Sequence, residues 1–159
     1  MATSPAVHSR TTATVLVVGR VAGAVLTAAA GWIHLYLWAN GYSDIPTIGA
    51  LFLLNGIGAA VLAIALLGAP TRLLGIVSGL SALFTAGALA ALIGSLTVGI
   101  FGFQEYLSAP YVGTSIVVES VGAVVLGGLT AMCMASTRRE PSARRHGRAL
   151  QHLDGHRPA

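Results

Sequence analysis

The sequence predicts an all-α membrane protein, a four-transmembrane-helix antiparallel bundle with both termini cytoplasmic. Three observations carry that expectation. Of 159 residues, 55% are hydrophobic and 9% charged, and the mean hydropathy is +0.79, too apolar for a soluble domain. Four apolar stretches each reach the roughly 20 residues that cross a bilayer. No strand-like alternation occurs, which argues against a β-barrel.

The elements follow in order. Residues 1–12 form a short polar arm without apolar periodicity, 13–136 a transmembrane domain, and 137–159 an Arg/His-rich tail. The spans lie at about 16–38, 47–68, 73–101 and 113–135. In the first, Gly19, Gly23, Thr27 and Gly31 recur every four residues, and in the second Asn55, Ala59 and Ala63 do. The third repeats Ser78, Ala82, Ala86, Ala90 and Gly94, and the fourth Ser115, Glu119, Ala123, Gly127 and Ala131. Small residues at that spacing let membrane helices approach closely, so each stripe is expected to face protein. The third stretch is longer than a span needs, which predicts tilt or a partly unwound turn around Gly99 and Gly102. Short connections make successive helices antiparallel.

Orientation comes from the arginines, which supply every basic residue. Arg10 and Arg20 lie at the start of the first span, Arg72 between the second and third, and the rest after the fourth. The other two connections carry only Asp44 and Glu105. The positive-inside rule then puts both termini and Arg72 on the cytoplasmic side, and the all-Arg basic complement is consistent with a GC-rich bacterial source, so a bacterial inner membrane is expected. Trp32, Tyr36, Trp38, Tyr42, Phe101, Phe103, Tyr106 and Tyr111 gather at the outer ends, as an interfacial belt does. Arg10 and Ala28-Ala29-Ala30 have the outline of a cleaved signal peptide, but Arg20 interrupts the apolar core and the apolar pattern runs on to Trp38. The lone Cys133 excludes an intrachain disulfide.

The tail is expected to be largely disordered in water. Its Arg138, Arg139, Arg144, Arg145 and Arg148 would each gain about 1 kcal/mol from anionic lipid of the inner leaflet. Without aromatic interleaving or a recognised module, nucleic acid is not an expected partner. His146, His152, Asp154 and His156 lack the ligand set of a metal site, and no metal is expected.

Four polar side chains lie within the spans. Arg20 can snorkel to the headgroups. Glu119 is the exceptional one, because a carboxylate near the bilayer centre costs roughly 2.5–3.5 kcal/mol to insert. Interhelical hydrogen bonds return only about 0.6 kcal/mol each on average, so Glu119 is read as functional rather than as a polar staple. His34 shares the face of Gly31 and lies about 6 Å below the outer end, while Glu119 lies about 9 Å below it. The two are expected at similar depth, as a pair, with Asn55 deeper at about 13 Å. Tyr42, Asp44, Gln104 and Glu105 stand at the outer mouth, and the stretch from Ile100 to Tyr111 is expected to lie along the membrane surface as an interfacial connector, with a lid over the bundle mouth as the sharper alternative.

Absences narrow the chemistry. Bis-histidine haem needs a second membrane histidine, thiol redox needs paired cysteines, and no phosphate loop, nucleotide fingerprint or nucleophile elbow occurs. Catalysis by a soluble-enzyme constellation is unsupported. What remains is an outer-leaflet polar site for protons, a quinone-like or lipidic molecule, or a small apolar ligand.

The motifs H-L-Y-L-W (His34 to Trp38), I-P-T-I-G-A-L-F-L-L-N (Ile45 to Asn55) and F-G-F-Q-E (Phe101 to Glu105), with Val118-Glu119, resemble a group of uncharacterised small four-span membrane proteins of actinobacteria. In layout the chain is distantly similar to DoxX-type four-helix membrane proteins, some of which associate with redox partners. The residues favour a complex subunit, in a homo-oligomer or with another membrane protein, or a small apolar-ligand binder without a resident cofactor. The second expectation is a quinone-linked redox accessory or oxidoreductase subunit in which Glu119 handles protons. A proton-coupled small transporter comes third, since no inverted repeat is visible.

Overall fold

In the computed structural model the backbone is described over residues 5–154 and the side chains over 13–136. Four helices follow one another: α1 Pro5–Ala39, α2 Ile48–Gly68, α3 Thr71–Thr97 and α4 Val112–Asp154, with a short 3-10 turn at Tyr42–Asp44 between α1 and α2. Each is long and apolar enough to cross a membrane, over Ala13–Ala39, Ile48–Gly68, Thr71–Thr97 and Val112–Ser136. Among the described residues there is no strand, only an isolated bridge between Ile100 and Phe103. Ala, Leu and Met favour helix, and in lipid a helix satisfies its own backbone. The side chains of 1–12 and 137–159, and with them the expectations for the basic tail, lie outside the described residues. The helical backbone of α4 runs on past Ser136 to Asp154.

The helices alternate in direction. α1 packs along α2 and α4, and α3 packs along α4, whereas α2 and α3 meet only sparsely. Ala69 and Pro70 alone separate α2 from α3, and Pro70 fits there because it suits the extended residue before a helix. At that end of the bundle Leu66, Leu74, Leu126, Leu129 and Cys133 form the apolar core. Arg20 closes it. Its guanidinium donates to Leu67 O and, at 2.8 Å, to Ala69 O, satisfying carbonyls that the end of α2 leaves without helical partners.

The tightest approach joins α1 to α2. A Cβ on Gly31 would stand 2.7 Å from Ala59 Cβ and 3.2 Å from Gly56 O, and one on Gly56 would overlap Leu35. Here the small-residue stripes behave as expected. In α3 and α4 they do not. Ala86, Ala90, Gly127 and Ala131 are exposed, while Ser78, Ser81 and Thr85 of α3 and Glu119, Gly122, Leu126, Leu129 and Cys133 of α4 face inward. A four-residue step overshoots a helical turn by about 40°, so a stripe counted in fours leaves the interface within three steps. Between α3 and α4 the contact is partly polar, with Thr130 Oγ1 donating to Ser78 Oγ at 3.0 Å.

The third span ends earlier than the sequence reading puts it. α3 stops at Thr97, and Gly99 at φ 76° turns the chain. Ile100 and Phe103 then exchange N–H···O bonds of 2.8 Å around Phe101 (φ 50°) and Gly102 (φ 75°). Two consecutive left-handed residues make this a tight hairpin turn of the type I′ kind.

Candidate functional site

The end of the bundle opposite Arg20 holds a cavity of about 100 Å³. α1 contributes His34, α2 Phe52 and Asn55, α3 Ser95, α4 Ser115 and Glu119, and the α3–α4 loop Glu105. The rest of the wall is mostly aliphatic and aromatic.

Glu119 is 1% exposed. Its Oε1 stands 3.9 Å from His34 Nε2, and its Oε2 is buried with no hydrogen-bond partner. His34 Nδ1 lies 2.9 Å from Ala30 O one turn earlier. A carbonyl only accepts, so Nδ1 carries a proton and donates it. Nε2 then either offers a lone pair to Glu119 or, in the imidazolium, a second N–H. At 3.9 Å the two groups are too far apart for a direct hydrogen bond. The gap is that of an ion pair or of two groups bridged by one small polar atom. The phase of α1 explains the placement: Gly31 sits on α2, and His34, one turn on, turns the same face toward the interior.

Asn55 lines the same cavity and makes no side-chain hydrogen bond among the described residues. The cavity, the His34–Glu119 pair and the Asn55 amide therefore belong to one site, although the sequence reading placed Asn55 deeper than the other two.

The outer-mouth residues divide. Glu105 is 6% exposed and lines the cavity. Tyr42 donates its hydroxyl to Glu105 Oε2 at 2.7 Å, and Glu105 Oε1 accepts from the Tyr106 amide at 3.1 Å. The Glu105 N–H donates in turn to Ser95 Oγ at 3.1 Å. The α1–α2 and α3–α4 connections are thus tied across the mouth. Burial, then the hydrogen bond to Glu105 and its charge, push the Tyr42 phenol above its ordinary value. Asp44 and Gln104 stay on the surface away from the cavity, and the Asp44 carboxylate accepts from Ser43. Ile100, Phe103 and Glu105 of the loop turn into the cavity wall.

Phe52 and Ser95 were not singled out from the sequence. Phe52 stacks on Tyr42 with centroids 4.6 Å apart and tilts against His34 at 5.0 Å, linking the mouth to the buried pair. Its signal was its place three residues before Asn55, on the same face of α2. Backbone strain gathers at this end as well. Thr47 has φ 67° and ψ −49°, and Ile48 N–H bonds back to Pro46 O at 2.7 Å, the rare strained form of a γ-turn. Tyr111, at the start of α4, has φ 64°.

No group of three or more His, Cys, Asp or Glu able to hold a metal occurs among the described residues. Searches against protein-family models, curated proteins and solved structures return no match.

Proposed function

We propose that this multi-pass membrane protein is a binder of a small, neutral, hydroxyl-bearing apolar molecule, held at His34 and Glu119. The observation that carries this reading is the buried Glu119 Oε2 without a partner, beside a cavity otherwise lined mainly by apolar atoms. An unpaired buried carboxyl oxygen is expensive, and a ligand that satisfies it recovers that free energy. A hydroxyl suits the gap, since it can donate to the Glu119 carboxylate while accepting from the His34 imidazolium. The pair as a whole is then neutral, which favours a neutral ligand in a low-dielectric site.

Orientation belongs to the same proposal. Arg20 and Arg72 lie at the end away from the cavity, and Asp44 and Glu105 at the cavity end. By the positive-inside rule the cavity opens in the outer leaflet of a bacterial inner membrane, with both termini inside. A quinol head carries the required hydroxyl, which keeps the redox-accessory reading as a special case of ligand binding.

The test is calorimetric titration of 4-ethylphenol and of ethylbenzene into the protein in lipid nanodiscs. The expected result is saturable binding of the phenol and none of ethylbenzene, whose ring is alike but lacks the hydroxyl. Equal binding of both, or of neither, overturns the proposal.

A further inference from the structure

The mouth and the flank of the cavity differ. At the mouth, Ile48, Glu105 and Val112 are buried, and the Tyr42–Glu105 bond with the Phe52–Tyr42 stack closes the space above the His34–Glu119 pair. Of the residues lining the cavity only two are exposed, Leu51 at 41% and Ala91. Leu51 belongs to α2 and Ala91 to α3, the adjacent helices that pack most sparsely. One turn below Asn55 that seam is shut, because the Phe84 ring sits where a Cβ on Gly58 would stand 2.9 Å away. The opening is therefore a gap in the side of the bundle, bounded below by Phe84 and Gly58 and above by the folded loop. Leu51 is three residues from the start of α2 and Ala91 six from the end of α3. At 1.5 Å per residue the lips lie about 5 and 9 Å inside the helix ends, at the depth of the upper acyl chains.

Size points the same way. An apolar cavity of about 150 Å³ holds a benzene molecule, and this one measures about 100 Å³. The enclosed space therefore takes the hydroxyl and the adjoining part of a ring, and the rest of the ligand must lie in the gap and beyond it.

From this geometry we infer that the ligand is a single-chain, hydroxyl-headed amphiphile drawn sideways from the bilayer, its head at His34 and Glu119 and its chain running out between Leu51 and Ala91. The inference rests on the proposed function and adds the ligand class and route. Small size at Ala91 is what leaves the gap open, and the loop tie keeps water from the buried pair. The aliphatic lips offer the chain no polar group to desolvate.

The experiment uses 4-octylphenol with a photoactivatable diazirine in mid-chain, added to the protein in nanodiscs. Crosslinks are mapped by mass spectrometry with and without excess untagged 4-octylphenol, and only competable sites count. The expected sites are the gap lips, around Leu51, Leu54 and Ala91. Ala91→Trp and, independently, Leu51→Trp should cut competable labelling at least tenfold. Leu83→Trp, on the exposed face of α3 away from the cavity (73% exposed), should leave it unchanged. Competable crosslinks concentrated at residues 42–46 and 101–107 would overturn the lateral route. So would undiminished labelling in both lip variants. Failure here with 4-ethylphenol still binding sinks the route alone, whereas loss of 4-ethylphenol binding in the parent sinks both readings.

Discussion

Replacing Gly31 with alanine tests the closest helix contact, the one that sets the height of His34. The new methyl would stand 2.7 Å from Ala59 Cβ and 3.2 Å from Gly56 O, against about 3.5–4.0 Å for an ordinary carbon–carbon contact. α1 and α2 must therefore part locally by about 1 Å, and overpacking of that kind costs about 1–3 kcal/mol. Alanine also returns about 1 kcal/mol of helix propensity, so the change by itself understates the clash. Gly128→Ala supplies the reference, because nothing lies within 4 Å of a Cβ there and only the propensity gain remains. The expected stability gap between the two variants is about 1–3 kcal/mol, read from SDS-induced loss of helicity in mixed micelles. Adding Ala59→Gly to Gly31→Ala removes the nearest contact and should restore part of the loss even though glycine is the poorer helix former. Equal stability of Gly31→Ala and Gly128→Ala would refute the close approach, and with it the reason His34 lies where it does.

Other expectations concern the two ends of the bundle. Arg20→Ala leaves the carbonyls of Leu67 and Ala69 without their charged donor, and the same titration should show a loss of about 1–3 kcal/mol. Tyr42 makes the mouth sensitive to alkali. Its phenol is held above its ordinary value by burial and Glu105, so the folded state keeps a proton that the unfolded chain releases near pH 10. That contribution is fully present below about pH 10 and is lost as the pH rises through the folded-state value. Tyrosinate absorbance should show the Tyr42 component, obtained by difference against Tyr42→Phe, ionising after that of free tyrosine. Ionisation at or below the free value would contradict the buried hydroxyl–carboxylate bond.

Much of this arrangement could be read from residues alone, and the divisions have physical causes. Span length fixes a helix in lipid, and a rise of 1.5 Å per residue converts position into depth. Glu119 and His34 therefore came out at similar heights, and the structure has them 3.9 Å apart. Direction around a helix was harder. Counting small residues in fours works over two turns, as at Gly31 and Ala59, and then drifts onto the lipid face, as at Gly127 and Ala131. The loop was least legible. Phe101 in a left-handed conformation turns the chain back on itself, and only that hairpin carries Glu105 under the mouth to meet Tyr42 and Ser95. Gly99 and Gly102 marked a turn there, but a bulky aromatic is an uncommon choice at a positive φ, so propensity gave no hint that it closes into a hairpin. Local sequence likewise says nothing of the thin α2–α3 contact, which depends on how all four helices settle together.

The most direct measurement is the affinity of 4-ethylphenol for the parent protein and for Glu119→Gln, both in nanodiscs and both checked for unchanged helicity and melting. The substitution keeps shape and removes the charge that pairs with His34 and accepts the ligand hydroxyl. A charged hydrogen bond in a buried site is worth about 1.5–3 kcal/mol, so binding should weaken at least tenfold. Affinity equal to the parent's, with the fold intact, would contradict a site built on Glu119 and leave the buried pair as a staple between α1 and α4.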